Sequence, residues 1–272
     1  MNRFVADSPP RTLAREVNTA AGSPGAARTL LLDLDGTLAP IAPTPERAAV
    51  PGATLASLSR LIDAGWTVAP VSGRPAAQIR SLVPIDGIQP FGSHGLETEN
   101  EQGACALPVA GEIIDRLRLL ETEAPSIAAA FPGVRVERKP AGLAFHDRQL
   151  TEMALASWRR CLELWLASRD LRGLELLEGK RVLEIRPQGA HKGRVVHRLA
   201  ERLGLEEEDR SFVAIGDDVT DEDMFREIRG LGLAVRVGDD EAPTHASRRL
   251  DSPTAVGDFL AALARCTEDK KR

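Results

Sequence analysis

Residues 30–38 read Leu30-Leu31-Leu32-Asp33-Leu34-Asp35-Gly36-Thr37-Leu38. An apolar run that ends at a glycine predicts a buried strand followed by a turn. Two carboxylates lie two residues apart at the end of that strand. Like charges this close resist joint ionisation unless a cation or a proton lies between them. The stretch therefore indicates a bound metal, a covalent carboxylate chemistry, or both.

The composition of the 272-residue chain excludes several classes of protein. Its formal net charge of −5 lacks the basic surplus that is typical of a general nucleic-acid binder. No apolar stretch is long enough to span a bilayer. We therefore expect neither a nucleic-acid partner nor a membrane. The cysteines are few, widely spaced and odd in number, which favours reduced thiols in a cytoplasm over disulfides or zinc: Cys105, Cys161 and Cys266.

Strands and helices alternate in the first and last parts of the chain. Strands are predicted at 28–34, 66–71, 87–91, 212–215 and 233–237. This alternation predicts an α/β fold with a Rossmann-like parallel sheet. The block at about 109–188 differs, because its two helical stretches alternate with paired strands, including a hairpin at 174–185. It predicts a small α+β module inserted in the larger sheet.

These patterns divide the chain into four parts. The predicted core comprises residues 29–108 and 189–265, and the inserted module comprises residues 109–188. Residues 1–28 contain several prolines and glycines and no continuous apolar segment, so they predict a flexible leader rather than a signal peptide. Residues 266–272 predict a solvated tail.

A second acidic set, Asp217 and Asp218, also follows a predicted strand. Ligands bind at the carboxyl ends of the strands in an open parallel sheet, so these acids can converge with Asp33 and Asp35. Oxygen donors without a His/Cys set predict a hard cation, and Mg²⁺ is the natural choice. A carboxylate beside Mg²⁺ can attack phosphorus, and a second acid can transfer protons. We predict that Asp33 is the nucleophile and that Asp35 is the acid/base.

Phosphoryl transfer also requires positive charge and hydrogen-bond donors. Ser72, at a strand end, can donate its hydroxyl and its backbone N–H. Lys192, at the start of a helix, can supply a fixed cation. Asp218 and Asp221 are possible supporting acids, although part of the acidic run at 217–223 must simply cap the helix that follows.

The order of these motifs resembles the haloacid-dehalogenase (HAD) superfamily of phosphohydrolases. Longer segments resemble the trehalose-6-phosphate phosphatases: 92–95, 136–139, 145–148, 178–187 and 216–225. The resemblance covers roughly residues 29–265. It implies a phosphatase core with an inserted α+β cap, Mg²⁺ dependence, and hydrolysis of trehalose 6-phosphate in trehalose biosynthesis.

The resemblance also implies roles for individual residues. It implies that Asp33, Asp217 and the backbone carbonyl of Asp35 hold Mg²⁺. From the residues alone, Glu137 and Lys139 could equally be an exposed charge pair on one strand face. Binding of the sugar phosphate is predicted for Arg74, His94, Gly95, Glu137, Lys139, Arg148, Lys180 and Glu184.

Three residues depart from the family pattern: Leu34, His191 and Asp147. Leu34 should point into the core, whereas an aspartate at position 147, where tyrosine is usual, could alter contacts with the sugar. Two other functions stay open, namely a phosphatase for another sugar phosphate such as sucrose 6-phosphate and a non-catalytic sugar-phosphate-binding regulatory subunit. A functional link to a trehalose-6-phosphate synthase is a further expectation.

Overall fold

The chain divides into two compact units in a computed structural model. One unit comprises Met1–Ala106 and His191–Arg272, and the other comprises Leu107–Ala190. The second unit begins and ends two residues outside the predicted module of 109–188. The structure describes residues 6–20, 27–99, 109–139, 142–179, 181–205, 210–238 and 242–269.

The first unit contains a parallel sheet with helices on both faces. The strands of this sheet are β1 (Ala6–Asp7), β2 (Ala27–Leu32), β3 (Thr67–Pro70), β10 (Arg210–Gly216), β11 (Gly232–Val237) and β12 (Arg248–Leu250). The helices are α1 (Pro10–Ala20), α2 (Gly52–Asp63), α3 (Ala76–Leu82), α6 (Arg194–Arg202), α7 (Glu222–Glu227) and α8 (Pro253–Asp269). The strand order is β1-β12-β11-β10-β2-β3, and every neighbouring pair is parallel. This sheet is the predicted α/β core.

The alternation of side chains along β2 explains why both faces of the sheet are covered. Leu30 and Leu32 belong to the hydrophobic cluster that includes α1, α2 and α8. Leu31 points to the opposite face and belongs to the cluster that includes α6 and α7. A strand that is buried on both faces reads as a continuous apolar run, which is what residues 30–32 show.

The predictions of a flexible leader and of a solvated tail are wrong where the structure describes those residues. Helix α1 buries Leu13 and Val17, one helical turn apart, in the core cluster. Strand β1 extends the sheet by pairing with β12. At the other end, α8 continues to Asp269. The prolines and glycines around α1 favoured the prediction of a flexible segment. The apolar face of α1 is short, and it packs against α8.

The strand predicted at 87–91 is present only in part. Phe91 forms an isolated parallel bridge with Val71, and the Gln89 N–H donates to the carbonyl of Val68 at 2.9 Å. The structure has a two-residue strand there, β4 (Phe91–Gly92), which pairs antiparallel with β5 (Glu97–Thr98) outside the main sheet. Gly87 has a φ of 83°, and Pro90 lacks the N–H that a ladder requires. Both residues break the strand that the apolar pattern suggested.

The second unit is a two-layer α+β module, as predicted. Its strands are β6 (Arg135–Lys139), β7 (Gly142–His146), β8 (Leu174–Gly179) and β9 (Val182–Pro187), and its helices are α4 (Gly111–Ala128) and α5 (Glu152–Ala167). The sheet is antiparallel with the order β6-β7-β9-β8. The helices pack on one face, where the Phe145 ring lies 5.5 Å from Trp158 and 5.9 Å from Trp165. The other face carries the polar side chains.

Truncation of Leu13 tests whether α1 belongs to the folded core. Because the side chain is fully buried, Leu13→Ala should lower the free energy of unfolding by about 2–4 kcal/mol. Urea denaturation measures this change, and Arg11→Ala, an exposed position in the same helix, is the matched control. Equal stability of the two variants would mean that α1 does not contribute to the core.

Candidate active site

Acidic side chains gather at the carboxyl ends of β2 and β10. Asp33 follows β2, and its backbone N–H donates to the carbonyl of Ile215 at 2.9 Å. Asp217 follows β10. One carboxylate oxygen from each of Asp33, Asp217 and Asp221 lies within 4.8 Å of the others. The structure thus brings Asp33 and Asp217 together, as the sequence predicts, and it adds Asp221 to the set.

Lys192 joins two of these acids. Its Nζ donates to Asp33 Oδ1 at 2.6 Å and to Asp221 Oδ1 at 2.7 Å. The Lys192 side chain is 3% exposed and that of Asp221 is 0% exposed. Because an unpaired buried charge is strongly unfavourable, loss of any of these three charges would disturb the other two. The predicted fixed cation is therefore placed against the predicted nucleophile.

Two glycines make room for the carboxylates. Gly36 has a φ of +91°, and a Cβ built on it would lie 2.2 Å from Asp217 Oδ2. A Cβ on Gly216 would lie 2.1 Å from the carboxyl carbon of Asp221. No side chain fits at either distance, so glycine is required for the acids to approach the backbone.

Burial makes the acidic cluster resist ionisation. Desolvation raises the pKa of Asp33 and of Asp221 to about 7, although Lys192 opposes both shifts. Desolvation and the neighbouring Asp221 also raise the pKa of Asp217. Burial works against the charged form of Lys192, but attraction to Asp221 and Asp33 outweighs it and raises the pKa of the ammonium.

The donor set fits a hard divalent cation. Three carboxylates face one ammonium, which leaves two negative charges unbalanced when all are ionised. All the donors are oxygens, which suit Mg²⁺ rather than a soft metal. The Thr37 hydroxyl donates to Asp217 Oδ1 at 3.1 Å and so helps to fix the orientation of this carboxylate. Asp218 instead belongs to a capping box, in which its N–H donates to Asp221 Oδ2 at 2.9 Å.

The Asp35 side chain forms an ion pair with Arg74. The Nε and Nη2 of Arg74 each donate to one oxygen of Asp35 at 2.6 Å. Its Nη1 donates to the carbonyl of Pro45 at 3.0 Å. Bidentate pairing of this kind fixes the orientation of a carboxylate as well as its charge. The structure therefore connects Arg74, predicted to bind substrate, with the predicted acid/base.

Ser72 offers its hydroxyl but not its backbone N–H. The backbone N–H donates to the carbonyl of Phe91 at 3.0 Å, so the prediction that it is a free donor is wrong. The Oγ accepts from the backbone N–H of Arg74 at 3.2 Å. A hydroxyl that accepts one bond still has its own hydrogen to donate.

His94 and Gly95 lie in a strained loop. Ser93 and His94 have φ angles of 49° and 54°, followed by Gly95 at 84°. Left-handed conformations in non-glycine residues cost of order 1–3 kcal/mol each and require a surrounding structure that enforces them. The His94 N–H donates to the carbonyl of Ser72 at 3.0 Å. The structure thus places the backbone of His94 next to Ser72.

Two residues that the sequence did not single out hold this loop. Glu97 Oε2 accepts from the Ser93 hydroxyl at 3.2 Å and from the Ala76 N–H at 3.0 Å. From α6, Arg198 Nη1 donates to the carbonyls of Gly95 and Leu96 at 2.9 and 3.0 Å. Arginine on a helix surface carries no sequence signal for such a role.

Three of the predicted sugar-binding residues share the polar face of the second unit's sheet. Lys139 Nζ donates to Glu184 Oε2 at 2.5 Å. Glu137 Oε2 lies 2.6 Å from His146 Nε2, and this hydrogen bond lowers the pKa of Glu137. Glu137 and Glu184 flank the same residue of β7, Ala144, across the sheet. These contacts place Glu137, Lys139 and Glu184 in one cluster.

The remaining predicted residues of this unit are not part of that cluster. Arg148 is exposed in the turn after β7 and has no ion pair with any residue in the described ranges. Lys180 lies outside the described residues. The Asp147 carboxylate is buried 3.2 Å from Arg181 Nε and lines a cavity with Trp158 of α5. Asp147 therefore faces the helices, so its departure from the family pattern does not change the polar face.

Comparisons with known proteins identify the family of this chain. The family model described as trehalose-phosphatase matches residues 31–254. A probable trehalose-phosphate phosphatase of Sinorhizobium fredii is 37% identical over 243 residues, covering 86% of this chain and 87% of the relative. The match extends through both units.

Two solved structures share the fold. The C-terminal domain of C. albicans trehalose-6-phosphate phosphatase has a TM-score of 0.80 at 22% identity, covering 97% of this chain and 99% of that one. The C-terminal domain of a Candida albicans trehalose synthase regulatory protein has a TM-score of 0.72 at 12% identity, covering 96% of this chain and 99% of that one. At these identities the likeness concerns the fold alone.

The acidic cluster should make the stability of metal-free protein depend on pH. Because the folded-state pKa of Asp33 and Asp221 is about 7, above the ordinary 3.8, stability is present at low pH and lost as pH rises through 7. The melting temperature in EDTA should fall between about pH 4 and 7 and level off above that range. Asp217→Asn removes one like charge, so it should reduce this fall.

Added Mg²⁺ provides the second half of this test. It should raise the melting temperature of the unmodified protein at pH 8 by about 2–5 °C, and it should leave Asp217→Asn unchanged. Asp63→Asn, an exposed position in α2, is the matched control and should respond like the unmodified protein. A Mg²⁺ response that persists in Asp217→Asn would contradict the assigned ligand.

Proposed function

Because this chain belongs to the trehalose-phosphatase family, we propose that it hydrolyses trehalose 6-phosphate to trehalose and phosphate in trehalose biosynthesis. The enzyme is a phosphatase with the HAD fold. The observation that carries the chemistry is the buried cluster in which Lys192 bonds both Asp33 and Asp221. A carboxylate that is held by a fixed cation at the carboxyl end of a strand is suited to attack an anionic phosphoryl group.

In the first half of the reaction, a carboxylate oxygen of Asp33 attacks phosphorus. The bond between phosphorus and the sugar oxygen breaks, and that oxygen takes a proton from Asp35. Arg74 orients the Asp35 carboxyl group for this transfer. Lys192 and the Ser72 hydroxyl stabilise the negative charge of the phosphoryl oxygens.

In the second half, water hydrolyses the aspartyl-phosphate. Asp35 takes a proton from the water, whose oxygen attacks phosphorus. The bond between phosphorus and the Asp33 oxygen breaks, so phosphate leaves and the Asp33 carboxylate is restored. Each proton that Asp35 gives in the first half is thus regained in the second.

Asp33, Asp217 and the backbone carbonyl of Asp35 are the proposed ligands of Mg²⁺, with Asp221 close to them. The support for this proposal is the oxygen-only donor set and the raised pKa values of the three clustered acids. Bound Mg²⁺ would offset the negative charge of the carboxylates and polarise the phosphoryl group.

Sugar-binding residues are proposed in each unit. Glu137, Lys139 and Glu184 form a charged cluster whose carboxylates can accept from sugar hydroxyls, while the ammonium donates. Arg148 and Lys180 stay proposed contacts of the cap. His94 and Gly95 are the proposed contacts from the core, where the strained loop presents them.

Two alternative functions remain: a phosphatase that acts on another sugar phosphate, and a regulatory subunit that binds the sugar phosphate without hydrolysing it. A phosphatase for sucrose 6-phosphate would use the same acids, so only the sugar contacts distinguish it. A non-catalytic regulatory subunit would not need the buried Asp33–Lys192–Asp221 arrangement. The proposed link to a trehalose-6-phosphate synthase follows from chemistry, since a sugar transfer must supply the substrate.

We propose the cytoplasm as the compartment. Cys161 and Cys266, the cysteines among the described residues, are free thiols, and free thiols fit a reducing environment. None of the helices in the described part of the chain is long and apolar enough to cross a bilayer.

Phosphate release from a panel of esters tests the proposed function. Purified protein with Mg²⁺ should hydrolyse trehalose 6-phosphate faster than sucrose 6-phosphate or glucose 6-phosphate. Asp33→Asn should reduce turnover by at least 10³-fold, because it removes the nucleophile, and Asp63→Asn is the control. Equal turnover of the three esters would refute the specificity, and turnover by Asp33→Asn close to the unmodified rate would refute the mechanism.

The Arg74–Asp35 pair allows a test of how Arg74 acts. If Arg74 orients Asp35, Arg74→Met should lower kcat by about 10-fold to 100-fold on both trehalose 6-phosphate and phenyl phosphate. If it only binds sugar, the KM for trehalose 6-phosphate should rise and phenyl phosphate should be unaffected. Steady-state kinetics separates these results, with Arg47→Met, a nearby exposed position, as the control.

A further inference from the structure

Arg186 lies on the same face of the cap sheet as the proposed sugar-binding residues. Along β9, Ile185 belongs to the hydrophobic cluster beneath the helices, so Glu184 and Arg186 point to the other face. Cross-strand register pairs Lys139 of β6 with Gly142 of β7. A Cβ on Gly142 would lie 3.9 Å from the Arg186 Cβ. Arg186 is therefore separated from Lys139 by a residue that has no side chain.

Small residues in β7 form the floor between these charged side chains. Ala144 lies between Glu137 and Glu184, and Gly142 lies between Lys139 and Arg186. Two rows of charged groups thus flank a line where the sheet carries almost no side-chain volume. The Lys139–Glu184 ion pair crosses β7 above these small residues, and a Cβ on Gly142 would lie 3.8 Å from Glu184 Oε1. The charged groups of β6 and β9 therefore meet over β7, where they can contact the hydroxyl groups of one sugar ring.

Arg186 has donors that the protein does not use. Its side chain is 8% exposed, and its Nε donates to Glu175 at 2.7 Å. The Nη1 is buried and has no hydrogen-bond partner within the described ranges. A buried donor without a partner is unfavourable, and for a charged group the cost is greater. Neutralising Glu175 requires only the bond from Arg186 Nε. It does not explain why Nη1 is buried without a hydrogen-bond partner.

We propose that Arg186 is a further substrate-binding residue, whose guanidinium donates to a sugar hydroxyl oxygen. The proposal rests on the proposed function. A guanidinium suits this role because it presents several donors in one plane and remains charged when buried. Glu175 would then hold one edge of the guanidinium while the other edge binds the sugar.

Kinetics of Arg186→Met and Arg186→Lys tests this assignment. Both variants should raise the KM for trehalose 6-phosphate by about 10-fold to 100-fold, while kcat/KM for phenyl phosphate stays within about twofold. Arg186→Lys keeps a cation beside Glu175, so it controls for misfolding. Thermal melts of both variants check the fold.

Glu175 supplies the matched control. Glu175→Gln removes the ion pair but keeps a side-chain oxygen that can accept from Arg186 Nε, so it should raise the KM less than Arg186→Met does. The double variant Arg186→Met, Glu175→Gln should stay as impaired as Arg186→Met alone. Recovery in the double variant would show that Arg186 only neutralises Glu175, and this result would overturn the proposal.

Failure of the proposal and failure of the proposed function give different results. If the unmodified enzyme prefers trehalose 6-phosphate but Arg186→Lys and Arg186→Met keep its KM, the assignment of Arg186 is wrong and the function stands. If the unmodified enzyme does not prefer trehalose 6-phosphate, the proposed function fails, and the assignment of Arg186 to this substrate fails with it.

Discussion

The bonds from the Lys192 ammonium to Asp33 and Asp221 are the interaction on which the rest of the site depends. They join three separate parts of the chain: the end of β2, the turn before α6 and the segment that leads into α7. Because all three charges are buried, the loss of one leaves the others without compensation. A single ammonium therefore couples the folding of the core to the placement of the nucleophile.

Asp221 shows how closely structure and chemistry are connected here. One of its oxygens bonds Lys192, and the other accepts from the backbone N–H of Asp218 in a capping box. The same carboxylate thus shapes the loop that carries Asp217 and sets the charge beside Asp33. From the sequence it is one of several acids before a helix, and capping alone would explain it.

The sequence is sufficient for the parts of the structure that local patterns specify. Continuous apolar runs predicted the buried strands, and the acids at their ends predicted the meeting of Asp33 and Asp217. Long-range pairing was not predictable. Nothing in the sequence connects Arg74 to Asp35, 39 residues away, or Arg198 to a loop about a hundred residues earlier. Helix α1 was missed because its buried face is short and packs against α8, which is distant in the sequence.

Gly36 and Gly216 have a consequence for how variants of this enzyme should be interpreted. Neither residue has a functional atom, yet a methyl group at either would overlap the carboxyl group of Asp217 or Asp221. A change there would displace a charge rather than open a cavity. In a clinical or engineering survey, such a substitution would be classified as mild by size and polarity. At these two positions it would act as the loss of an aspartate.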